Sequence, residues 1–348
     1  MPIEAAPSPV ASARAQLIKQ LLPEGVPQLW CPPLTHYKED GSIDKERMAV
    51  HFKHVSRWVR GFLVPGSTGD GWELSADERR QIIAFAVEQA QSLGLRLLLG
   101  ALKLSANEAI RTIHEDLEWL NSAYPSLVAA RVCGFTVCPP HGKDWSQAEV
   151  LRELRSVLDL GLPLAIYQLP QVTENELSPE SAAELAGRFA NFIFFKDTSG
   201  KDRVALSGLD LGGVFLARGF ETDYARWLEH AGGPYHGFLL GAANCFACEL
   251  DQVIQQVCAG RLDSAQELSK RLESAFNEVF SLVTPFAHGN AFANANKAMD
   301  HFFAYGPGAA SVTAPRLHSG RQLPLDIIKS AGQILIRHGF MPERGYLE

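Results

Sequence analysis

No stretch of this 348-residue chain stays apolar for long. Runs such as 192–195 and 238–243 fall far short of the roughly 18 residues that suggest a membrane-crossing helix, so no membrane partner is expected. Basic residues are the minority: 32 Lys and Arg against 39 Asp and Glu give a formal charge of −7, and no local Lys/Arg run offsets it. That balance argues against a polyanion-binding surface and so against nucleic acid as a partner. Cysteine is scarce: Cys31, Cys133, Cys138, Cys245, Cys248 and Cys258 are scattered through apolar segments, the pattern of reduced, buried thiols in a cytosolic protein. Cys245 and Cys248 form a C-x-x-C, but no second pair completes a zinc set, and no metal is expected there. Residues 1–22 lack a charged region followed by an apolar core and a small-residue cleavage site, so no secretory leader is read and the expected location is cytoplasmic. There is also no low-complexity tract.

What is present is an alternation. Short apolar runs at 26–31, 62–65, 97–100, 135–138, 164–167, 192–196, 214–217 and 238–241 each have strand length. Between them lie helix starts: Ser75 precedes Glu78, Ser105 precedes Glu108 and Ser146 precedes Glu149 by three residues, the spacing of a capping box. Ser178-Pro179 adds a cap with proline at the first helical position. Strands that are nearly all apolar are buried on both faces, and eight such units predict an α/β protein, an eight-stranded (β/α)8 barrel, ahead of a doubly wound sheet. Beyond about residue 255 the strand signal stops, and 264–283, 293–304 and 325–338 read as helices. The expected division is an N-terminal extension 1–24, a barrel 25–255 and a C-terminal helical region 256–348.

Catalytic groups of such a barrel sit where strands end. Lys196 follows four large apolar residues, Phe192 to Phe195; burial there disfavours the charged amine and frees a nucleophile, though a strand-ending lysine can equally snorkel to water. Tyr167 closes the preceding run, one strand spacing away, and its phenol could shuttle protons or simply pack at the barrel mouth. Gly66-Ser67-Thr68-Gly69-Asp70-Gly71 ends the second run: glycines permit close backbone approach, and hydroxyls with free N–H groups suit a carboxylate. It is neither a P-loop nor a dinucleotide fingerprint. His51 and His54 are the only close histidine pair and lie in a helix-like stretch, so a metal-dependent aldolase is not favoured.

In this order the segments resemble the dihydrodipicolinate synthase and N-acetylneuraminate lyase family, over most of the chain. Gly66 to Asp70 followed by Leu74-Ser75-Ala76-Asp77-Glu78-Arg79 looks like the family's G-T/S-T-G-E loop and L-S-x-x-E-R start. Tyr167-Gln168-Leu169-Pro170 is similar to Y-N-x-P, Lys196-Asp197-Thr198-Ser199-Gly200 to K-D/E-x-S/T-G, Asp40-Gly41-Ser42-Ile43-Asp44 to D-G-x-I/V-D, and Gly237-Phe238-Leu239-Leu240 with Ala243-Asn244 to the eighth strand. The resemblance implies that Lys196 forms a Schiff base with a 2-oxo carbon and Tyr167 shuttles protons. It also implies that Ser67 and Thr68 hold the carboxylate with Gly66, that Ser67 relays protons to Tyr167, and that Leu239 lines the substrate. It implies no organic cofactor, a small 2-oxo acid as partner, and a homodimer or homotetramer.

Departures bear on the substrate. Val172 stands where dihydrodipicolinate synthases usually have an arginine, and Pro139-Pro140-His141-Gly142 where they have a paired tyrosine. His141 is the candidate replacement for that phenol. Gln168 for asparagine, Asp70 for glutamate, Cys31 for threonine and Leu240 for serine bear on the pocket. The expectation is a lyase, aldolase or dehydratase, acting on pyruvate or a longer 2-oxo acid; the alternatives are an authentic dihydrodipicolinate synthase or a non-catalytic 2-oxo acid binding or regulatory protein.

Overall fold

The computed structural model describes residues 7–348. Eight strands, β1 (Leu29–Cys31), β2 (Gly61–Val64), β3 (Arg96–Gly100), β4 (Val132–Val137), β5 (Leu164–Gln168), β6 (Phe192–Asp197), β7 (Phe215–Arg218) and β8 (Gly237–Leu239), follow one another around a closed barrel. The helices are α1 (Pro9–Leu21), α2 (Lys45–Val55), α3 (Ala76–Leu93), α4 (Ala106–Ala123), α5 (Gln147–Leu158), α6 (Pro170–Thr173), α7 (Pro179–Arg188), α8 (Arg203–Leu206), α9 (Ala247–Cys258), α10 (Leu262–Val283), α11 (Ala291–Tyr305) and α12 (Leu325–Arg337). After β8 all named elements are α- or 3-10 helices, as the C-terminal reading expected, and the only strand-like feature there among the described residues is an isolated bridge between Arg316 and Gln322. Of the extension read as 1–24, residues 1–6 lie outside the described residues. No described helix is long and apolar enough to cross a membrane.

Ser75 with Glu78 and Ser146 with Glu149 form reciprocal capping boxes that start α3 and α5. Ser105 does not. Its side chain accepts from Glu108 N, but its φ of −134°, against −64° and −69° at the other two caps, turns its own N–H away, and Glu108 meets the Ser105 hydroxyl instead. The cysteine expectation also needs correction. All six are thiols, but only Cys31, Cys133, Cys138 and Cys245 are buried; Cys248 is partly exposed and Cys258 exposed, because α9 turns Leu250, Val253, Ile254 and Val257 inward and both thiols off that stripe.

By contact the described chain falls into two compact units, 7–28 with 98–220 and 234–237, and 29–97 with 221–233 and 238–348. In the first, β4 to β7 pair in parallel, with Ala165 opposite Phe194 and Tyr167 opposite Lys196. Gly134 lets β4 approach β5, since a Cβ there would lie 2.8 Å from Pro163 O. The helix α1 is tied to this unit by one side chain. Arg14 is fully buried, and it donates to the carbonyls of Phe192 (2.7 Å), Phe189 (2.9 Å), Gly212 (2.5 Å), Leu211 (3.3 Å) and Ala186. Its five N–H donors are thereby matched by main-chain acceptors rather than by a carboxylate.

In the second unit, β1 pairs with both β2 and β8, and Gly61 makes room for Trp30, whose ring would lie 2.2 Å from a Cβ. Of the histidines at 51 and 54, considered above as a metal pair, His51 belongs to a buried network, and the half-buried His54 stacks on Tyr346 at 4.9 Å. His51 stacks on Tyr346 at 5.6 Å and 9°, and its Nδ1 is 3.3 Å from His36 Nε2; Asp300 accepts from Arg47 (3.0 Å) and from the Tyr346 hydroxyl (2.8 Å). Among the described residues no group of three or more His, Cys, Asp or Glu could hold a metal ion. Burial, aided by His51 and Arg57, pushes His54 down to about 4.

Two predictions follow from these contacts. Arg14→Ala takes a donor from five main-chain carbonyls, of which Phe189 O and Leu211 O keep a backbone N–H, and should lower stability by about 3 kcal/mol, read as a fall in the urea midpoint with loss of exchange protection in α1. Because His54 takes up a proton in the unfolded chain before it does in the folded one, stability should decline as pH falls from about 6.5 toward 4. The midpoint measured across that range should fall less steeply in His54→Phe.

Candidate active site

Side chains alternate along a strand, so Tyr167 on β5 and Lys196 on β6, opposite each other in register, share one face. Both are almost fully buried, at 3% and 4% exposure. The Lys196 Nζ sits 3.8 Å from the centroid of the Tyr167 ring, so the amine faces the π-cloud. Among the described residues no carboxylate forms an ion pair with it. The neighbouring β7 presents small residues: Ala217 is opposite Lys196, and Gly219 follows the strand, where a Cβ would lie 2.7 Å from Lys196 Cε. Cys138, just past β4, is buried close enough that the Lys196 charge opposes the upward push of burial on its thiol.

Thr198, two residues beyond Lys196, is buried, and its hydroxyl has no hydrogen-bond partner. The same hypothetical Cβ at Gly219 would lie 3.0 Å from its Oγ1, so this unsatisfied hydroxyl and the Lys196 stem flank the same glycine. In the sequence Thr198 falls within the Lys196 motif with no role of its own; its parity with Lys196 is the available signal.

The opposite face of the same strands is a structural network. Gln168 Nε2 donates to Asp197 Oδ1 (3.2 Å), while Gln168 Oε1 accepts from Leu177 N (2.8 Å). Arg218 grips Asp202 with Nε (3.0 Å) and Nη2 (3.2 Å), and the Tyr235 hydroxyl donates to Asp202 at 2.6 Å. Burial raises the Asp197 carboxyl, with the Asp202 charge adding to it. The expectation that Gln168 bears on the substrate pocket is therefore corrected: its amide turns away from Lys196 and ties β5 to β6.

In the other unit, Ser67–Gly69 forms a single 3-10 turn whose cap, Asp70, has φ 59°. Gly66 O accepts from both Gly69 N and Gly71 N at 3.0 Å. Gly66 and Gly69 have no room for a side chain, a Cβ lying 2.6 Å from Pro32 Cβ and 2.5 Å from Pro33 O. Trp72 Nε1 donates to Ser67 Oγ at 2.9 Å, and Asn290 Nδ2 donates to Ser67 O at 2.9 Å. Thr68 is buried beside Gly241, and Leu239 is buried in β8 opposite Trp30. Asp70, too, is structural rather than pocket-lining: it accepts from Lys297 Nζ (2.8 Å) and from the Tyr37 hydroxyl (3.0 Å). Burial and that carboxylate raise Tyr37 far above its ordinary range.

His141 is found elsewhere. Its ring pairs with Glu174 at 3.3 Å, the two side chains 44% and 55% exposed, and its N–H donates to Leu104 O. The fold thus brings together Lys196 and Tyr167, and separately gathers Gly66, Ser67 and Thr68 in one turn. Gly219, Trp72, Asn290 and Lys297 were not read from the sequence as functional, and no motif marks them.

A sequence profile of the Dihydrodipicolinate synthetase family matches residues 27–290. A 4-hydroxy-tetrahydrodipicolinate synthase of Agrobacterium fabrum (strain C58) is 24% identical over 250 residues, covering 71% of this chain and 80% of that protein. Among solved structures, YagE, a prophage protein of E. coli K12 in complex with pyruvate, superposes with TM-score 0.71 at 20% identity, over 90% of this chain and 99% of that one. A 2-keto-3-deoxygluconate aldolase of Sulfolobus in complex with D-KDPG gives 0.70 at 17%, over 91% and 100%. Likeness at this identity establishes the shared barrel fold.

The Asp70–Lys297 pair generates a prediction. Lys297→Ala strands a buried carboxylate and should cost about 3 to 5 kcal/mol, whereas Asp70→Asn with Lys297→Met, which removes both charges, should recover much of it in thermal or urea melts.

Proposed function

The chain belongs to the dihydrodipicolinate synthetase family, and from that premise we propose that it is a Schiff-base lyase of pyruvate or a longer 2-oxo acid, with Lys196 as its nucleophile. The observation that carries the reading is the amine itself, buried at 4% exposure on a tyrosine ring and with no carboxylate partner among the described residues. A lysine held for stability alone would be ion-paired or would reach water; one left unpaired in an apolar wall is suited to attack a carbonyl.

The neutral amine adds to C2 of the 2-oxo acid, giving a carbinolamine. The C2 oxygen then takes up a proton and leaves as water, and an iminium remains. That cation withdraws electrons from C3, so the pair left by breaking the C3–C4 bond, or by removing a C3 proton ahead of C4–OH loss, is held as an enamine. Tyr167, in contact with the amine, is the proposed carrier of the protons that these steps exchange. By the motif match, Ser67 and Thr68 hold the substrate carboxylate with the Gly66 backbone, and Leu239 lines the substrate. The Thr198 hydroxyl, free of protein partners, is suited to an oxygen of the substrate near the iminium. His141, engaged with Glu174, is left as a contact at the rim for longer substrates.

The lysine supplies the electron sink, so the proposal requires no organic cofactor or metal. Val172 in α6 and the Pro139-Pro140-His141 segment favour aldol cleavage or dehydration over the dihydrodipicolinate synthase condensation. We also propose a cytoplasmic homodimer or homotetramer, as the family resemblance implies.

Incubation with pyruvate and borohydride, then digestion and mass spectrometry, should place a secondary amine on Lys196. Lys196→Ala should abolish it. Tyr167→Phe should slow adduct formation by about 10²-fold, the scale of a lost general acid–base group. Gly219→Ala should slow it by about tenfold, because the new methyl displaces the Lys196 stem and a misplacement of about 1 Å is expensive in rate. The absence of any adduct at Lys196, with pyruvate and with several longer 2-oxo acids, would sink this reading.

A further inference from the structure

Two carboxylates share one buried network on the far side of the strand that carries Lys196. Asp197, Asp202, Arg218 and Tyr235 are each at most 2% exposed. Asp202 is well served: it accepts from Arg218 Nε (3.0 Å), from Arg218 Nη2 (3.2 Å) and from the Tyr235 hydroxyl (2.6 Å). Asp197 is not. Its Oδ1 accepts from two neutral groups, Ser199 N (2.8 Å) and Gln168 Nε2 (3.2 Å), and among the described residues no cation pairs with it. Its Oδ2 faces the Tyr235 oxygen at 3.5 Å, but a phenol has a single proton, and Tyr235 gives it to the nearer carboxylate, Asp202. Burial and the two carboxylates push that phenol far above its ordinary range, so it keeps the proton. The elements packed around Asp197 bring no further charge to it. The helix α7 turns Ser181, Ala182, Leu185 and Ala186 inward, Arg14 grips the opposite end of β6 at Phe192 O, and Lys196 lies on the other face of the strand.

Building on the Lys196 reading above, we propose that Asp197 is held as a neutral carboxylic acid whose Oδ2 proton points at the Tyr235 oxygen, which keeps negative charge away from the back of the strand that carries the amine. A buried carboxyl without a cation takes up a proton rather than stay ionised, the direction in which burial pushes this one. The proton also changes the contact with Tyr235 from two facing lone pairs into an attraction. It completes a chain from Asp197 to Tyr235 to Asp202, whose charge Arg218 balances. An ionised Asp197, one residue from Lys196, would favour the ammonium form of the lysine, which cannot attack a carbonyl. Asp197 touches no reacting atom in this scheme and acts through the amine alone, as a positioning residue.

Infrared spectra of protein carrying isotope-labelled aspartate read the proton directly: wild type at neutral pH should show the C=O band of a protonated aspartic acid, and Asp197→Asn should lose it. Folding reads it independently. A carboxyl whose pKa is higher in the folded chain than in the unfolded one stabilises the fold at low pH and loses that contribution as pH rises from about 4. Wild type should therefore lose about tenfold in folding constant per pH unit relative to Asp197→Asn, up to the folded pKa. Asp202→Asn leaves Arg218 to pair with Asp197, its neighbour in register, and should ionise it. The band should then vanish, and borohydride trapping of pyruvate at Lys196 should shift to higher pH, whereas Asp197→Asn, an uncharged stand-in for the acid, should keep the wild-type pH profile. A wild type without the band, an Asp197→Asn spectrum identical to wild type, equal pH dependence of folding in the two proteins, or an Asp197→Asn trapping profile moved to lower pH would each overturn the proposal. Loss of the band in Asp202→Asn with trapping at the wild-type pH would overturn the bearing of Asp197 on the amine. Should neither variant fold, Tyr235→Phe decides: a displaced band upholds the proposal, and an unmoved or absent one overturns it. If wild type carries the band and forms no adduct with any 2-oxo acid, the Schiff-base reading falls, and with it the role of the proton but not its place, an outcome distinct from all the others.

Discussion

A lysine that is to attack a carbonyl has to be buried without being neutralised by a carboxylate, and much of the first unit can be understood from that constraint. Lys196 meets it on the face of Tyr167, where a cation or a neutral amine is tolerated and neither is locked in place. The amine needs room for its stem, and Ala217 of β7 with Gly219 just beyond it leaves that room. It also needs a rigid base. On the other face of the same strands, Gln168, Asp197, Asp202, Arg218 and Tyr235 form a fully buried polar network in which Arg218 and Tyr235 hold Asp202 while Gln168 and the Ser199 backbone hold Asp197. Reactivity faces one way and rigidity the other, and the period of two along β5 and β6 keeps them apart.

The second unit handles its polar turn differently. Three glycines bring the backbone of residues 66–71 so close to its surroundings that no side chain fits at Gly66, Gly69 or Gly71. These three glycines lose more backbone freedom on folding than other residues would, and the buried Asp70–Lys297 pair helps to hold the one conformation adopted. Such a pair contributes little net stability over an apolar replacement, so its value lies in specifying one arrangement. Because Asn290 and Lys297 both come from the end of the chain, the C-terminal helices are part of how this turn keeps its shape.

The barrel was legible because its strands are apolar on both faces and its helices are capped by serines, signals that lie within a few residues of sequence. Where the reading slipped, local chemistry explains it. The run at 26–31 includes Pro27, which has no N–H for a ladder, and β1 starts only at Leu29; the run at 135–138 misses the first residues of β4 because Gly134 looks like a break, although its missing side chain lets β4 pack against Pro163 just before β5. Lys196, Tyr167 and the Ser67–Thr68 turn could be picked out because each closes a strand within a motif of several residues. Trp72, Lys297, Asn290 and Gly219 could not, since their importance resides in contacts that the sequence does not advertise. Asp70 and Gln168 looked like changes to a pocket and are instead members of hydrogen-bonded frameworks.

The Arg14 latch has a consequence for how the chain is made. Its acceptors lie 178 residues downstream at Phe192 and 198 residues downstream at Gly212. On a ribosome adding about 5 to 20 residues per second, the first helix therefore emerges and waits on the order of ten seconds or more before its docking surface exists. During that interval a guanidinium destined for the interior is held in water. Docking of this helix therefore requires that residues 186–212 have been made and that their carbonyls have taken up the positions it grips.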